Sequence, residues 1–227
     1  VYGRCLKLGA VLEARSLEHT LFLNRGGAFE ARPLPIEAQF APVFGINIAD
    51  FDGDGNEDVF TAQNFFASQA ETPRSDGGRG LLMLGDGKGG LRSLSGGASG
   101  IKVYGEQRGS AVADFDRDGR ADLAVTQNGS HTRTFRNRLA KPGLRVRLKG
   151  SPANPTAVGA RVRLRFTDDT LGPVRPITAG SGYWSQDSAV VVLGTPRPVR
   201  QIDVTWPDGS KSSPPVPLGA GEVAVGK

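Results

Sequence analysis

Residues 50–58 read DFDGDGNED and residues 114–122 read DFDRDGRAD. Each stretch places carboxylates at its first, third, fifth and ninth positions: Asp50, Asp52, Asp54 and Asp58, then Asp114, Asp116, Asp118 and Asp122. A hard divalent cation is bound through oxygen, and Ca²⁺ takes about six to eight oxygens at roughly 2.3–2.6 Å. Alternate carboxylates converge if the chain curls tightly, and Gly55 and Gly119 at position six allow the positive φ that such a curl needs. The seventh residue, Asn56 or Arg120, then offers its backbone carbonyl. No His or Cys lies nearby, which disfavours Zn²⁺, and Mg²⁺ prefers fewer carboxylates and more water. Four carboxylates in nine residues repel one another without a cation. The same arrangement twice, in register, argues against plain surface turns and predicts two Ca²⁺ sites.

An EF-hand also begins DxDxDG, but it needs a bidentate Glu at position twelve and a helix on either side. Position twelve is Thr61 in one copy and Val125 in the other. The flanks INIA, DVFTA, SAVA and DLAVT are β-branched and read as strands. A β-scaffold must therefore hold these loops, not a helical one.

The loops belong to a longer internal repeat. Residues 46–64 (INIADFDGDGNEDVFTAQN) align with 110–128 (SAVADFDRDGRADLAVTQN). LFLNRGGAFE (21–30) and LLMLGDGKGGL (81–91) each read as strand, Gly-rich turn, strand, and TRTFRN (132–137) is a weaker copy of the opening strand. Each period then consists of a hairpin, a variable connection, a strand, the Asp loop and another strand. Four strands per period is the arithmetic of a propeller blade. Residues 65–80 read as an inserted loop.

The texture changes after Asn137. LRVRLKG (144–150) and ARVRLRF (160–166) alternate apolar and basic residues, as strands with one buried face do. AVVVLG (189–194) and QIDVTW (201–206) follow, with PDGS (207–210) as a turn. The expectation is an all-β chain: a partial β-propeller over 1–137, then an antiparallel β-sandwich or barrel over 138–227, with the boundary at RLAKPG. The 32 glycines and 15 prolines suit short strands and turns, and 227 residues supply enough chain for both cores. No apolar run is long enough to cross a bilayer. Cys5 is the sole cysteine, so there is neither an internal disulfide nor a cysteine metal site. The chain starts at Val1 with no leader, which reads as a processed product or a part of a longer protein. The net charge of +5 is concentrated after residue 137, where 13 Lys/Arg face 6 Asp/Glu. No recognition helix or RNA-binding signature accompanies it, so nucleic acid is not the expected partner.

On these residues the chain resembles two known families. DFDGDGNED and DFDRDGRAD resemble the calcium loops of FG-GAP (VCBS) repeats, the blades of integrin-α-type propellers. NPTAVGARVRLR (154–165), ITAGSGYWSQDS (177–188) and VTWPDGS (204–210) resemble the ASPIC/UnbV domain that follows such blades in bacterial proteins and in the cartilage acidic protein family. The resemblance implies an extracellular, cell-surface or periplasmic module of non-catalytic kind, stabilised by calcium, with a protein or glycan partner. Such propellers close with about seven blades, so further blades or another chain are expected to complete the ring.

Other residues invite weaker readings. Gln63, Asn64, Gln127 and Asn128 follow the loops, with Glu71, Arg74, Tyr104, Glu106, Gln107 and Arg108 nearby. They suit either a ligand site for a glycan or peptide or, more simply, amide ties between blades. Arg145, Arg147, Arg161, Arg163 and Arg165 fall at alternate positions, as a polyanion-binding stripe or a solvated sheet face would. Ser181, Tyr183, Trp184, Ser185 and Gln186 form a Gly-rich segment whose aromatics are expected to anchor it. His19 and His131 sit in no catalytic motif, and the paired carboxylates are consumed by the Asp loops, so no enzyme is expected. An accessory or catalytic fragment of a carbohydrate-active protein, or a purely structural assembly subunit, are the alternatives.

Overall fold

The computed structural model describes residues 12–67 and 69–227, and Cys5 lies outside them. The chain divides into two compact units, Val1–Leu34 and Pro35–Lys227. In the first, β1 (Thr20–Asn24) and β2 (Phe29–Pro33) form the expected antiparallel hairpin. Asn24 caps its turn by accepting the Gly26 amide at 2.9 Å.

The larger unit is all-β apart from short helical turns at Ile36–Gln39 and Gly96–Ser99. Strands β3 (Val43–Ala49), β4 (Asp58–Gln63), β5 (Leu81–Gly85) and β6 (Leu91–Leu94) make an antiparallel sheet in that order. Strands β7 (Glu106–Ala113), β8 (Asp122–Asn128) and β9 (Ser130–Phe135) make a second. The Asp loops are the β3–β4 and β7–β8 connections. The phase of the repeat differs from the sequence expectation: the 81–94 hairpin continues the sheet of the first Asp loop and does not open the second. Main-chain pairing of Thr61 with Leu81 fixes this register, and residues 65–80 bridge β4 to β5.

Buried apolar side chains join the two sheets. Phe60, Ala62 and Leu82 from one meet Leu123 and Val125 from the other, with Ile101 and Val103 of the connecting segment between them. Gly45 on β3 permits the close approach, since a Cβ there would meet Ser110 Oγ at 2.5 Å and the Arg108 carbonyl at 2.9 Å. Asn47 completes the contact by donating to the Ser110 carbonyl at 3.1 Å.

The C-terminal strands are β10 (Leu144–Lys149), β11 (Arg161–Phe166), β12 (Arg175–Pro176), β13 (Val190–Leu193), β14 (Val199–Thr205), β15 (Lys211–Ser212) and β16 (Glu222–Gly226). They form two sheets, β13-β10-β16 and β12-β11-β14-β15. Both bury their alternate apolar residues in one cluster that includes Val146, Val162, Phe166, Ile202, Val204 and Val225. Trp206 is buried beside it, and its indole donates to Ser212 Oγ at 3.0 Å. One expectation is corrected here. The pair β10–β16 is parallel, because the last strand arrives by a long connection from β15, so this half is not purely antiparallel. None of the five sheets formed by the described residues closes on itself. No helix among the described residues is long and apolar enough to cross a membrane.

Candidate metal centres

The first Asp loop is wound around its own carboxylates. Asp50 Oδ1 accepts the Gly53 and Asp54 amides at 2.7 and 3.2 Å, and its Oδ2 accepts the Gly55 amide at 2.8 Å. Asp52 accepts the Asp54 amide at 3.1 Å. Asp58, the first residue of β4, braces the loop's entry through the Phe51 amide at 2.7 Å and reaches β5 through the Gly85 amide at 2.8 Å. Gly55 has φ of 90°, and Gly119 has φ of 81°, the conformation that the spacing predicts. The outcome is that Asp50, Asp52 and Asp58 each bring one carboxylate oxygen within 4.8 Å of the others. Asp54 is not in that cluster; its carboxylate accepts the Asn56 amide at 2.7 Å and the Asn56 side chain at 2.9 Å.

The second loop repeats much of this network. Asp114 accepts the Asp118 and Gly119 amides at 3.0 and 2.8 Å, and Asp122 accepts those of Phe115 and Asn137 at 3.2 and 2.7 Å. Asp114, Asp116 and Asp122 converge as the first triad does. Asp118 again turns outward, to the Arg120 amide at 3.0 Å and the Arg120 guanidinium at 2.9 Å. The position occupied by Gly53 (φ 78°) is Arg117 here (φ 62°), so the second loop holds a side chain in backbone geometry that glycine adopts freely.

The two loops differ most in their cations. In the second, the Arg145 side chain, 7% exposed, ion-pairs with Asp114, and Arg136 pairs with Asp116. Arg145 also reaches Glu222 at 3.0 Å. The first triad has no such partner among the described residues. Burial therefore raises Asp50 to about 6 and Asp58 to about 7, with neighbouring carboxylates adding to the effect. Asp122 is likewise raised by burial. Asp118 moves the other way, because Arg120 and Arg136 outweigh the cost of its burial.

These shifts have a measurable sign. Folded values above the ordinary 3.8 mean that the folded chain holds more protons than the unfolded one up to about pH 7. The associated stability is complete below the unfolded value and is lost as pH rises through about 6 and 7. In chelator, the melting temperature followed by circular dichroism should fall between about pH 5 and pH 8. A flat profile would show that the cluster ionises without cost.

Both loops are also clasped by the chain that follows them. The Lys141 amide donates to the Asp52 carbonyl at 3.3 Å, and that of Gly143 to the Gly119 carbonyl at 2.7 Å. Asn137 donates to the Phe51 and Ala121 carbonyls at 2.8 and 3.2 Å, one in each loop. From farther along, Arg175 contacts the Ile48 carbonyl and ion-pairs with Glu57. Asp187 accepts from Asn47 at 2.9 Å and from the Val112 amide at 2.7 Å.

The remaining sequence candidates separate into two groups. Asn64, Gln63 and Gln107 are buried. Asn64 is exchanged with Gly78 through bonds of 2.8 and 2.9 Å and reaches the Gly105 carbonyl at 3.0 Å. Asn128 and Arg108 both hold the buried Glu106, at 2.6 Å each. Burial works against that charge, but the Phe66 amide, Asn128 and Arg108 overcome it and hold Glu106 at about 2. Arg108 also lies over the Phe44 ring at 4.0 Å, and Gln127 donates to the His131 carbonyl at 2.5 Å. At the surface, Arg74 lies over Phe66, and Tyr104 lies under Arg79. Tyr183 packs on Phe44 with centroids 5.7 Å apart, whereas Trp184 is 91% exposed. The expected anchoring therefore fails for Trp184, whose ring meets Tyr183 at 6.4 Å between centroids but stays in solvent. The arginine stripe is divided as well, since Arg145 and Arg147 lie on β10 and pair with Glu222, while Arg161, Arg163 and Arg165 lie on β11, where Arg163 and Arg165 pair with Asp203.

In chemical terms, the fold defines an all-β protein with two carboxylate triads, each able to hold a metal ion. Comparison with known proteins adds that residues 150–214 match the family described as ASPIC and UnbV, so a domain of that type makes up this part of the chain. Cartilage acidic protein 1 of Xenopus tropicalis is 32% identical over 110 residues, 46% of this chain. Cartilage acidic protein 1 of Mus musculus is 29% identical over 184 residues, 76% of this chain. The chain matches only 17% and 27% of the length of these two relatives.

Proposed function

We propose that this chain is a calcium-stabilised, non-catalytic interaction module of an extracellular protein, with FG-GAP-type propeller blades joined to its ASPIC/UnbV domain. The observation that carries this reading is the twofold occurrence of one backbone-braced triad, Asp50/Asp52/Asp58 and Asp114/Asp116/Asp122. The donors are all oxygen, which suits Ca²⁺ over Zn²⁺. Further oxygens come from loop carbonyls and water. Bound calcium neutralises each triad and fixes the β3–β4 and β7–β8 connections against the segments that clasp them, which leaves the exposed loops in one geometry for a partner. The extracellular placement is supported by relatives named for cartilage, and calcium modules outside the cell bind at about 10⁻⁴–10⁻³ M.

Elemental analysis after equilibrium dialysis tests the metal directly. About two calcium ions per chain are expected at millimolar calcium, with the first loop filling before the second. Asp58→Ala should remove one ion. Absence of calcium from the wild-type chain at that concentration would overturn the reading.

A further inference from the structure

We propose that the outer face of the β12-β11-β14-β15 sheet is a binding surface for an acidic polysaccharide, one that presents repeated sulfate or carboxylate groups. Strand β11 buries Val162, Leu164 and Phe166 and turns Arg161, Arg163 and Arg165 to the other side. Its register with β14 sets Thr205, Asp203 and Gln201 opposite those arginines, and β15 brings Lys211 opposite Thr205. Residues of this face line a groove of about 620 Å³, which Arg200 and Asp169 also border.

Five cations thus face two carboxylates, and the carboxylates are already engaged. Asp203 is held by Arg165 at 2.9 Å, by Gln201 at 2.7 Å and by Ser213 at 2.9 Å, with Arg163 at 3.9 Å, and Asp169 by Arg200 at 2.7 Å. Arg161 and Lys211 meet no carboxylate within ion-pair distance among the described residues. The groove is therefore left with net positive charge, on a bed where cations recur about every 7 Å along a strand. That geometry suits a polymer with regularly spaced anionic groups, drawn in by charge complementarity. Single-stranded nucleic acid fits less well, since its binding surfaces stack bases on aromatic rings and no aromatic side chain lines this groove. A duplex is read by an element that enters its groove, whereas this surface is a sheet face.

The test uses the full chain in about 2 mM calcium and fluorescence anisotropy with size-fractionated, labelled dextran sulfate, neutral dextran and oligothymidylate as probes. Saturable binding of dextran sulfate that weakens as salt rises is expected, with none to neutral dextran. The triple variant Arg161→Gln/Arg163→Gln/Lys211→Gln should weaken it about tenfold or more. A control of equal charge, Lys102→Gln/Arg133→Gln/Arg138→Gln, should bind as the wild type does. Five of these side chains are exposed and Arg163 is half-buried beside Asp203; unchanged melting temperatures will show that both variants fold. No saturable binding, equal loss in both variants, or tighter binding of oligothymidylate would each overturn the proposal.

Discussion

Arg145→Met should destabilise the calcium-free chain by about 3–5 kcal/mol, because it leaves a buried carboxylate without its cation. The Asp114 side chain is 1% exposed and Arg145 is its ion-pair partner. Methionine keeps much of the volume and none of the charge. The pair also links the second Asp loop to β10 and, through Glu222, to β16, so the loss reaches the C-terminal sheet. In saturating calcium the same substitution should cost much less, since a metal ion supplies the missing charge to Asp114, Asp116 and Asp122. The calcium-induced rise in melting temperature should therefore be larger in the variant than in the wild type. Equal losses in calcium and in chelator would mean that Arg145 acts by packing alone and that the second triad holds no metal.

Asp52→Asn should change sign with calcium. Its Oδ1 accepts the Asp54 amide, which an asparagine carbonyl can also do, so the loop keeps its fold. What disappears is one negative charge beside Asp50 and Asp58, whose carboxyls it helps to push up. In chelator that relief should stabilise by up to about 1 kcal/mol, a rise of about 2–4 °C in a domain of this size. In calcium the variant has lost a ligand charge and should melt below the wild type by a similar amount. A variant less stable in both conditions would contradict the view that these carboxylates repel one another in the absence of metal. Calorimetry of the two proteins under the two conditions decides it.

Both expectations draw on features that the sequence makes visible to different degrees. The Asp loops, the glycines at their sixth positions and the strands on either side were legible because each depends on residues within nine or ten positions. The alternation in ARVRLRF likewise predicts β11 and its two faces. Long-range pairing was not legible in that way. Nothing local in LRVRLKG distinguishes Arg145, buried against Asp114, from Arg163 on an open face, since alternation reports a face and not what covers it. The parallel return of β16 and the grasp of Asp187 on β3 and β7 have the same origin. Asp54 and Asp118 illustrate a subtler limit. Their spacing suits a ligand, but it does not disclose that a neighbouring side chain, Asn56 or Arg120, bonds the carboxylate as well.

The inward turn of Asn64 is physical as well. Gln63 and Asn64 follow the first loop, and their aligned partners Gln127 and Asn128 follow the second, at the ends of strands where the main chain leaves the ladder. Free carbonyls such as those of Gly78 and Gly105 need donors there. An amide side chain is the cheapest donor to supply. A sequence shows that such residues recur but not which backbone group they will meet.

The central claim is that calcium is part of the folded structure, and thermal unfolding of the wild-type chain tests it most directly. Binding to the folded state alone raises stability by mass action, by about 0.7–1.8 kcal/mol per site at 2 mM calcium for dissociation constants of about 10⁻³–10⁻⁴ M. The account predicts a melting temperature higher by several degrees in about 2 mM calcium than in excess chelator, with magnesium giving much less. Identical melting curves in calcium and in chelator would contradict it and reduce the two Asp loops to backbone-capping turns.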